Sequence, residues 1–179
     1  MWAHVAGKSK HPPAEFYENP LNSIGYLARI TFRSFSRALE RRTIGDGVSA
    51  GQWRFLRVLW NEEGLTQREL SRRVGMREPT TVTALNGMEK SGLVRRVPSK
   101  KDRRKVHVYL TPRARKLRVK LMPKVAEVNV VAAEGIDPAD IAILRRVLPQ
   151  MSANLAAEDA AYAAAHGGPA SLPLGAINP

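Results

Sequence analysis

Two short β-branched segments, Leu93-Val94-Arg95-Arg96-Val97 and Val106-His107-Val108-Tyr109-Leu110, flank the polar stretch PSKKDRRK and follow directly on three helix signals. The second alternates strictly, the period of a half-buried strand, so the pair reads as a β-hairpin with a polar loop. The helices before it are well punctuated. Ser49-x-x-Gln52 and Thr66-x-x-Glu69 are capping boxes, in which a hydroxyl accepts from a free backbone N–H and the third residue reaches back to the cap. They predict helices over 50–61 and 67–74. Pro79 fits the first turn of a third helix running to about Ser91, and Gly92 is placed to end it in a left-handed conformation.

Longer helices flank this module. Between Asn22 and Arg42, Ile24, Ala28, Phe32, Phe35 and Leu39 step by four, four, three and four, forming one apolar stripe. Thr111-Pro112 and Asp137-Pro138 repeat the cap-then-proline signal and open helices over about 112–134 and 138–157. In the first, Leu117, Leu121, Val125, Val128 and Ala132 form the stripe, with a bend expected at Pro123. In the second, Ile141, Leu144, Leu148, Met151 and Leu155 form a heptad-like seam. The expected organisation is a flexible arm at 1–20, a dimerisation helix at 21–48 and a winged helix-turn-helix at 49–111. C-terminal dimerisation helices at 112–158 and a disordered tail at 159–179 complete it, with the Ala run of the tail as an alternative extension of the last helix. The fold class is mainly α with a small β-hairpin wing.

Charge shows what such a module meets. Lys and Arg number 29 against 16 Asp and Glu, a net charge of +13. Between Gly51 and Lys120 there are 19 basic and 6 acidic residues, and the rest of the chain carries ten of each. A positive excess confined to one segment marks a surface that meets polyanions, above all nucleic acid. With no cysteine among 179 residues, disulfide scaffolds, thiolate nucleophiles and cysteine zinc sites are excluded. No stretch approaches the roughly 18 apolar residues of a spanning helix. The N-terminus lacks the pattern of an export signal, so a cytoplasmic location away from any membrane is expected.

Three short helices followed by a basic-tipped hairpin are the order of a winged helix-turn-helix, whose second helix enters the major groove while the wing reaches phosphates or the minor groove. The turn is read at Val74-Gly75-Met76 and the reading helix from Pro79 to Ser91. At 100° per residue Val82, Leu85 and Met88 share an inward side, and Thr80, Thr83, Gly87 and Lys90 point outward. The expected DNA-binding set is Arg77, Thr80, Thr83, Asn86 and Lys90, with Lys100, Lys101, Asp102, Arg103, Arg104 and Lys105 on the wing. Five cations around one acid repel one another, which suits phosphate neutralisation better than folding. Asp102 can orient an arginine by a charge-assisted bond. Glu78 is discordant, a weak cap and an unfavourable charge beside phosphate.

The stretch LTQRELSRRVGMREPTTVTALNGMEKSGLVRRVPSKKDRRKVHVYLT resembles the helix-turn-helix and wing of the MarR family of bacterial transcription regulators, and the likeness extends from about Ser23 to Leu155. The resemblance implies an obligate homodimer with intertwined terminal helices, binding a pseudo-palindromic operator, with Arg104 as the minor-groove arginine and Asp102 as its partner. Ala114 and Ala84 stand where the family often has Gly and Arg. Independently, the near-neutral apolar stripes at both ends of the basic module are most simply buried against a second copy, the alternative being one stripe packed on the other within the chain. A two-fold dimer would set the reading helices about 34 Å apart.

The resemblance also implies a repressor released by a small aromatic or lipophilic anion, an aromatic acid or its thioester. The candidate lining is Tyr26, Ile30, Arg33, Trp53 and Phe55, the alternative being that these are ordinary core and surface side chains. No cofactor, metal or enzymatic activity is expected, because His4, His11, His107 and His166 are scattered and no Gly-rich phosphate loop appears. The alternatives are an architectural nucleic-acid binder without sequence preference or ligand, and a winged-helix protein-interaction domain.

Overall fold

The computed structural model describes residues 18–102 and 104–167. After a 3-10 turn at Pro20–Asn22, capped by the Asn19 side chain, come α1 (Ile24–Thr43), a 3-10 turn at Ile44–Asp46, and α2 (Ala50–Leu59). β1 (Leu65–Thr66), α3 (Gln67–Val74), α4 (Glu78–Lys90), β2 (Val94–Pro98) and β3 (Val106–Leu110) follow, then α5 (Pro112–Ala133) and α6 (Pro138–His166). The chain forms two compact units, one through Ala38 and one from Leu39 onward.

The first unit holds most of α1. Ser23 Oγ accepts from the Tyr26 amide, and the Arg29 guanidinium lies 5.3 Å from the Tyr26 ring centre. Of the stripe expected on α1, Ile24, Ala28 and Phe32 are exposed and Phe35 is half-buried; Leu39, in the second unit, is buried.

The second unit contains the helix-turn-helix. Both capping boxes form: Ser49 Oγ accepts from Gln52 N while Gln52 Oε1 accepts from Ser49 N at 3.0 Å. Thr66 and Glu69 repeat the exchange at the start of α3. Each hydroxyl satisfies a helix-end donor otherwise left to water, worth about 1 kcal/mol. Phe55, Leu56 and Leu59 of α2 are fully buried with Leu70 of α3, Leu85 and Met88 of α4, and Leu93, Val94, Val108 and Leu110 around the sheet. At about 1.5–3 kcal/mol per buried side chain, this cluster outweighs every surface pair in the molecule.

The sheet has three strands rather than the two expected, in the order β1-β3-β2, all antiparallel. β2 pairs Val94 with Leu110 and Pro98 with Val106, and β1 pairs Leu65 with Val108. Two residues are too few to show alternation, and Thr66 serves at once as strand end and helix cap, so periodicity alone does not reveal β1. Gly64, which leads into β1, has φ +79° and lies against the Tyr109 ring, where an added Cβ would come within 3.2 Å.

α5 runs unbroken through Pro123, with Ala114, Leu117, Leu121 and Val128 buried, Val125 half-buried and Ala132 exposed. Burial on either side of the proline holds the helix across the missing hydrogen bond. α6 extends to His166 instead of ending at 157, which corrects the disorder expected from residue 159. Alanine carries the least helix cost of any residue, and Gly167, at φ 71°, closes the helix in a left-handed conformation. The rest of the expected tail, and the expected arm through residue 17, lie outside the described residues. Among the described residues no helix is long and apolar enough to cross a membrane.

Candidate nucleic-acid interface

The turn between α3 and α4 spans Gly75-Met76-Arg77, one residue later than expected. Gly75, at φ 71°, ends α3, and the nearly buried Ser71 donates its hydroxyl to the Met76 carbonyl. That bond fixes how α4 leaves the turn. Arg77 is the N-cap residue of α4, without a side-chain cap bond, and is exposed. Glu78 is the first helical residue rather than the cap, where its charge suits the helix dipole, and it pairs with Arg68 at 3.4 Å.

The inward face of α4 is Thr81, Leu85 and Met88, all fully buried, whereas Val82 is exposed. This corrects the expected placement of Val82. Hydrophobicity favours valine over threonine, but steps of four and three along the helix select residue 81. Thr81 Oγ1 has no hydrogen-bond partner, so the methyl group makes the contact. The outward assignment of Thr80, Thr83, Asn86, Gly87 and Lys90 agrees with their exposure. Thr83 Oγ1 donates to the Pro79 carbonyl at 3.1 Å, so what it presents outward is its methyl and its lone pairs. A Cβ built on Gly87 meets nothing within 4 Å.

The wing is a tied loop. Ser99 N donates to the Lys105 carbonyl and Lys105 N to the Asp102 carbonyl, both at 2.9 Å. Ser99 Oγ accepts from the amides of Lys101 and Asp102. The Asp102 carboxylate accepts from Arg104 N at 3.1 Å and Arg104 Nε at 3.3 Å. The Arg104 side chain is nevertheless 92% exposed, so its base is held while its tip stands in solvent. Lys100, Lys101 and Lys105 are exposed as well, and Arg103 lies outside the described residues.

The two arginines of β2 are engaged elsewhere. Arg95 lies 4.6 Å from the Tyr109 ring centre. Arg96 donates to Glu89 through its amide (3.1 Å), Nε (3.1 Å) and Nη2 (2.7 Å), and its hydrogen bonds hold the Glu89 carboxyl below its usual range. Behind the wing, Glu63 accepts from Leu110 N and from Arg115 Nε and Nη2. The Arg115 hydrogen bonds are the main cause that lowers the Glu63 pKa. These positioning residues escape a sequence reading because charged side chains carry no periodicity.

Of the expected effector lining, Tyr26 and Ile30 are half-buried and Arg33 is exposed on α1. Phe55 is 1% exposed and Trp53 8%, with Trp53 packed edge-on against Trp60 at 5.3 Å. Both are core side chains, so the structure does not present them as an open lining. Among the described residues no three His, Cys, Asp or Glu side chains gather as a metal site.

The MarR family model matches residues 46–105, from the turn before α2 to the wing. A crystal structure of the transcriptional regulator PA3341 is 36% identical, with a TM-score of 0.65, over 74% of this chain and 98% of that one. The chain belongs to the MarR family. A MarR regulator from Methanosarcina mazei superposes with a TM-score of 0.69 at 26% identity, over 73% of this chain and 94% of that one. TtmR, a helix-turn-helix transcriptional regulator of Methylorubrum extorquens, is 34% identical over 88 residues, 49% of this chain and 45% of TtmR. The chain thus spans about half the length of the curated relatives it matches. Both curated relatives are named as transcriptional regulatory proteins.

Proposed function

We infer that this MarR protein is a sequence-reading transcription regulator that acts in the cytoplasm as a homodimer on double-stranded DNA. The carrying observation is the pairing of Asp102 with an Arg104 whose tip is open to solvent, on a wing that shares its module with the exposed face of α4. The wing arginine enters the minor groove, Lys100, Lys101, Arg103 and Lys105 meet phosphates, and Arg77, Thr80, Thr83, Asn86 and Lys90 line the major groove. Two-fold pairing of the exposed α6 leucines presents two such modules to a pseudo-palindromic operator. Repression is the proposed output. A small aromatic or lipophilic anion is the proposed effector, with Tyr26, Ile30 and Arg33 as its accessible contacts, and it acts by binding better to a dimer whose reading helices are misplaced.

Selection from a random duplex library followed by competition against bulk DNA tests the reading. The selected duplex should win by about 10³-fold or more, and Thr83→Ala should shrink that ratio more than it weakens non-specific binding. A ratio near unity would establish the architectural alternative instead.

Gly87→Ala separates folding from contact. With open space for the new methyl, the helix should gain roughly 0.5–1 kcal/mol and the melting temperature should rise. Affinity for the selected duplex should fall, because the same methyl holds the backbone off the groove. A rise in stability with unchanged affinity would remove Gly87 from the interface.

A further inference from the structure

We propose that Glu89 and Arg96 are a positioning pair that sets the wing at a fixed angle to the reading helix, and that this brace determines sequence discrimination without itself touching DNA. The proposal rests on the DNA-binding reading above. Glu89 sits one residue before the end of α4, and Arg96 is in the middle of β2. Three hydrogen bonds join them, two to Oε2 and one from the Arg96 amide to Oε1. The remaining guanidinium nitrogen, Nη1, donates to Gln67 Oε1 at 3.4 Å, at the first residue of α3. One side chain therefore ties together the start of the first helix of the motif, the end of the second and the strand that leads to the wing.

The geometry suits this task better than surface decoration. Arg96 is only 24% exposed, and its planar fork meets the carboxylate with two donors, which fixes direction as well as distance. Its neighbour Arg95 faces outward over Tyr109 and lacks any such anchor to α4. Away from this brace, the hydrogen bonds of the outer wing among the described residues are those of its own ladder and loop, and β1 pairs with β3 no further out than His107. A wing free to rock would still present its cations to phosphate, but Arg104 and the face of α4 would not reach adjacent grooves together.

The electrostatics makes the test one-sided. Removing Glu89 deletes a negative charge from a DNA-facing module, so charge alone predicts tighter binding to every duplex. The brace predicts the reverse for a specific site. The cysteine-free chain allows two spin labels, at Arg72→Cys on α3 and Lys101→Cys on the wing, to report their distance distribution in the free protein. With Glu89→Ala the distribution should broaden, with Glu89→Gln broaden less, and the melting profile of both should remain cooperative. Affinity for the selected duplex should fall about tenfold or more with Glu89→Ala, while affinity for bulk DNA holds or rises. Arg96→Lys, which keeps the charge but loses the fork, should behave like Glu89→Ala. An unchanged distance distribution would overturn the brace, as would equal tightening on both DNAs. Broadening in a protein for which no duplex can be selected would instead leave the brace standing and remove the sequence-reading function.

Discussion

Arg104→Ala should lower affinity for the selected duplex by about 10²-fold or more, because a lost hydrogen bond to a charged partner costs roughly 1.5–3 kcal/mol and the proposed two-fold dimer would lose it at both wings. The folded chain should hardly notice, since the side chain is 92% exposed and its partner among the described residues, Asp102, lies in its own loop. Two further variants separate pose from charge. Arg104→Lys retains the cation but cannot reproduce the Nε bond to Asp102 or the planar donor set, so it should recover binding to bulk DNA and little of the specific increment. Asp102→Asn raises the net charge, which charge alone would turn into tighter binding. It should nonetheless weaken the specific complex, because the neutral amide holds Arg104 less firmly. Fluorescence titration at one fixed salt concentration measures all three. Arg104→Ala binding the selected duplex within threefold of the wild type would remove the arginine from the groove.

The parts of this interface that sequence revealed are those held by local rules. Ser49 and Thr66 begin α2 and α3 through hydroxyls that reach only three residues ahead, and Gly75 and Gly92 follow α3 and α4 in a conformation that other residues avoid. The wing was legible because alternation across Val106–Leu110 and a run of cations between the strands arise within one segment. Asp102 and Arg104 are two residues apart, so their pairing too could be foreseen. What stayed hidden depends on residues distant in sequence or on competition between similar faces. β1 exists because Leu65 finds Val108, some forty residues on, and Arg96 finds both Glu89 and Gln67. On α4 the choice between Thr81 and Val82 turned on which of two adjacent residues lay over Leu85, a matter of about 100° of helix rotation that hydrophobicity got wrong. The alanine-rich stretch of α6 is ambiguous by composition, because its lack of large side chains argues for disorder while its low helix cost favours the helix that forms.

Replacing Leu148 and Leu155 together with alanine should convert the protein to monomers. In the single chain these side chains are 49% and 67% exposed, and Leu144 and Ile143 beside them are about half exposed. Aliphatic groups repeated along one helix are a costly surface to leave in water, and in the proposed dimer a second copy would cover them symmetrically, each leucine counting twice. At about 2 kcal/mol for each of four buried side chains, discounted for partial exposure in the dimer, the loss is roughly 6 kcal/mol. That is about four orders of magnitude in the dimer dissociation constant. Alanine keeps the helix propensity of α6, and neither leucine belongs to the buried core, so circular dichroism should show an unchanged helix content in the monomer. Sedimentation at micromolar concentration measures the mass. The same variant should bind the selected duplex with the affinity of a single module, because one wing and one reading helix then act without the second half-site. A wild-type chain that sediments as a monomer, or a double variant that keeps both its dimer mass and its operator affinity, would mean that α6 is covered in another way and that the two-fold reading of DNA is wrong.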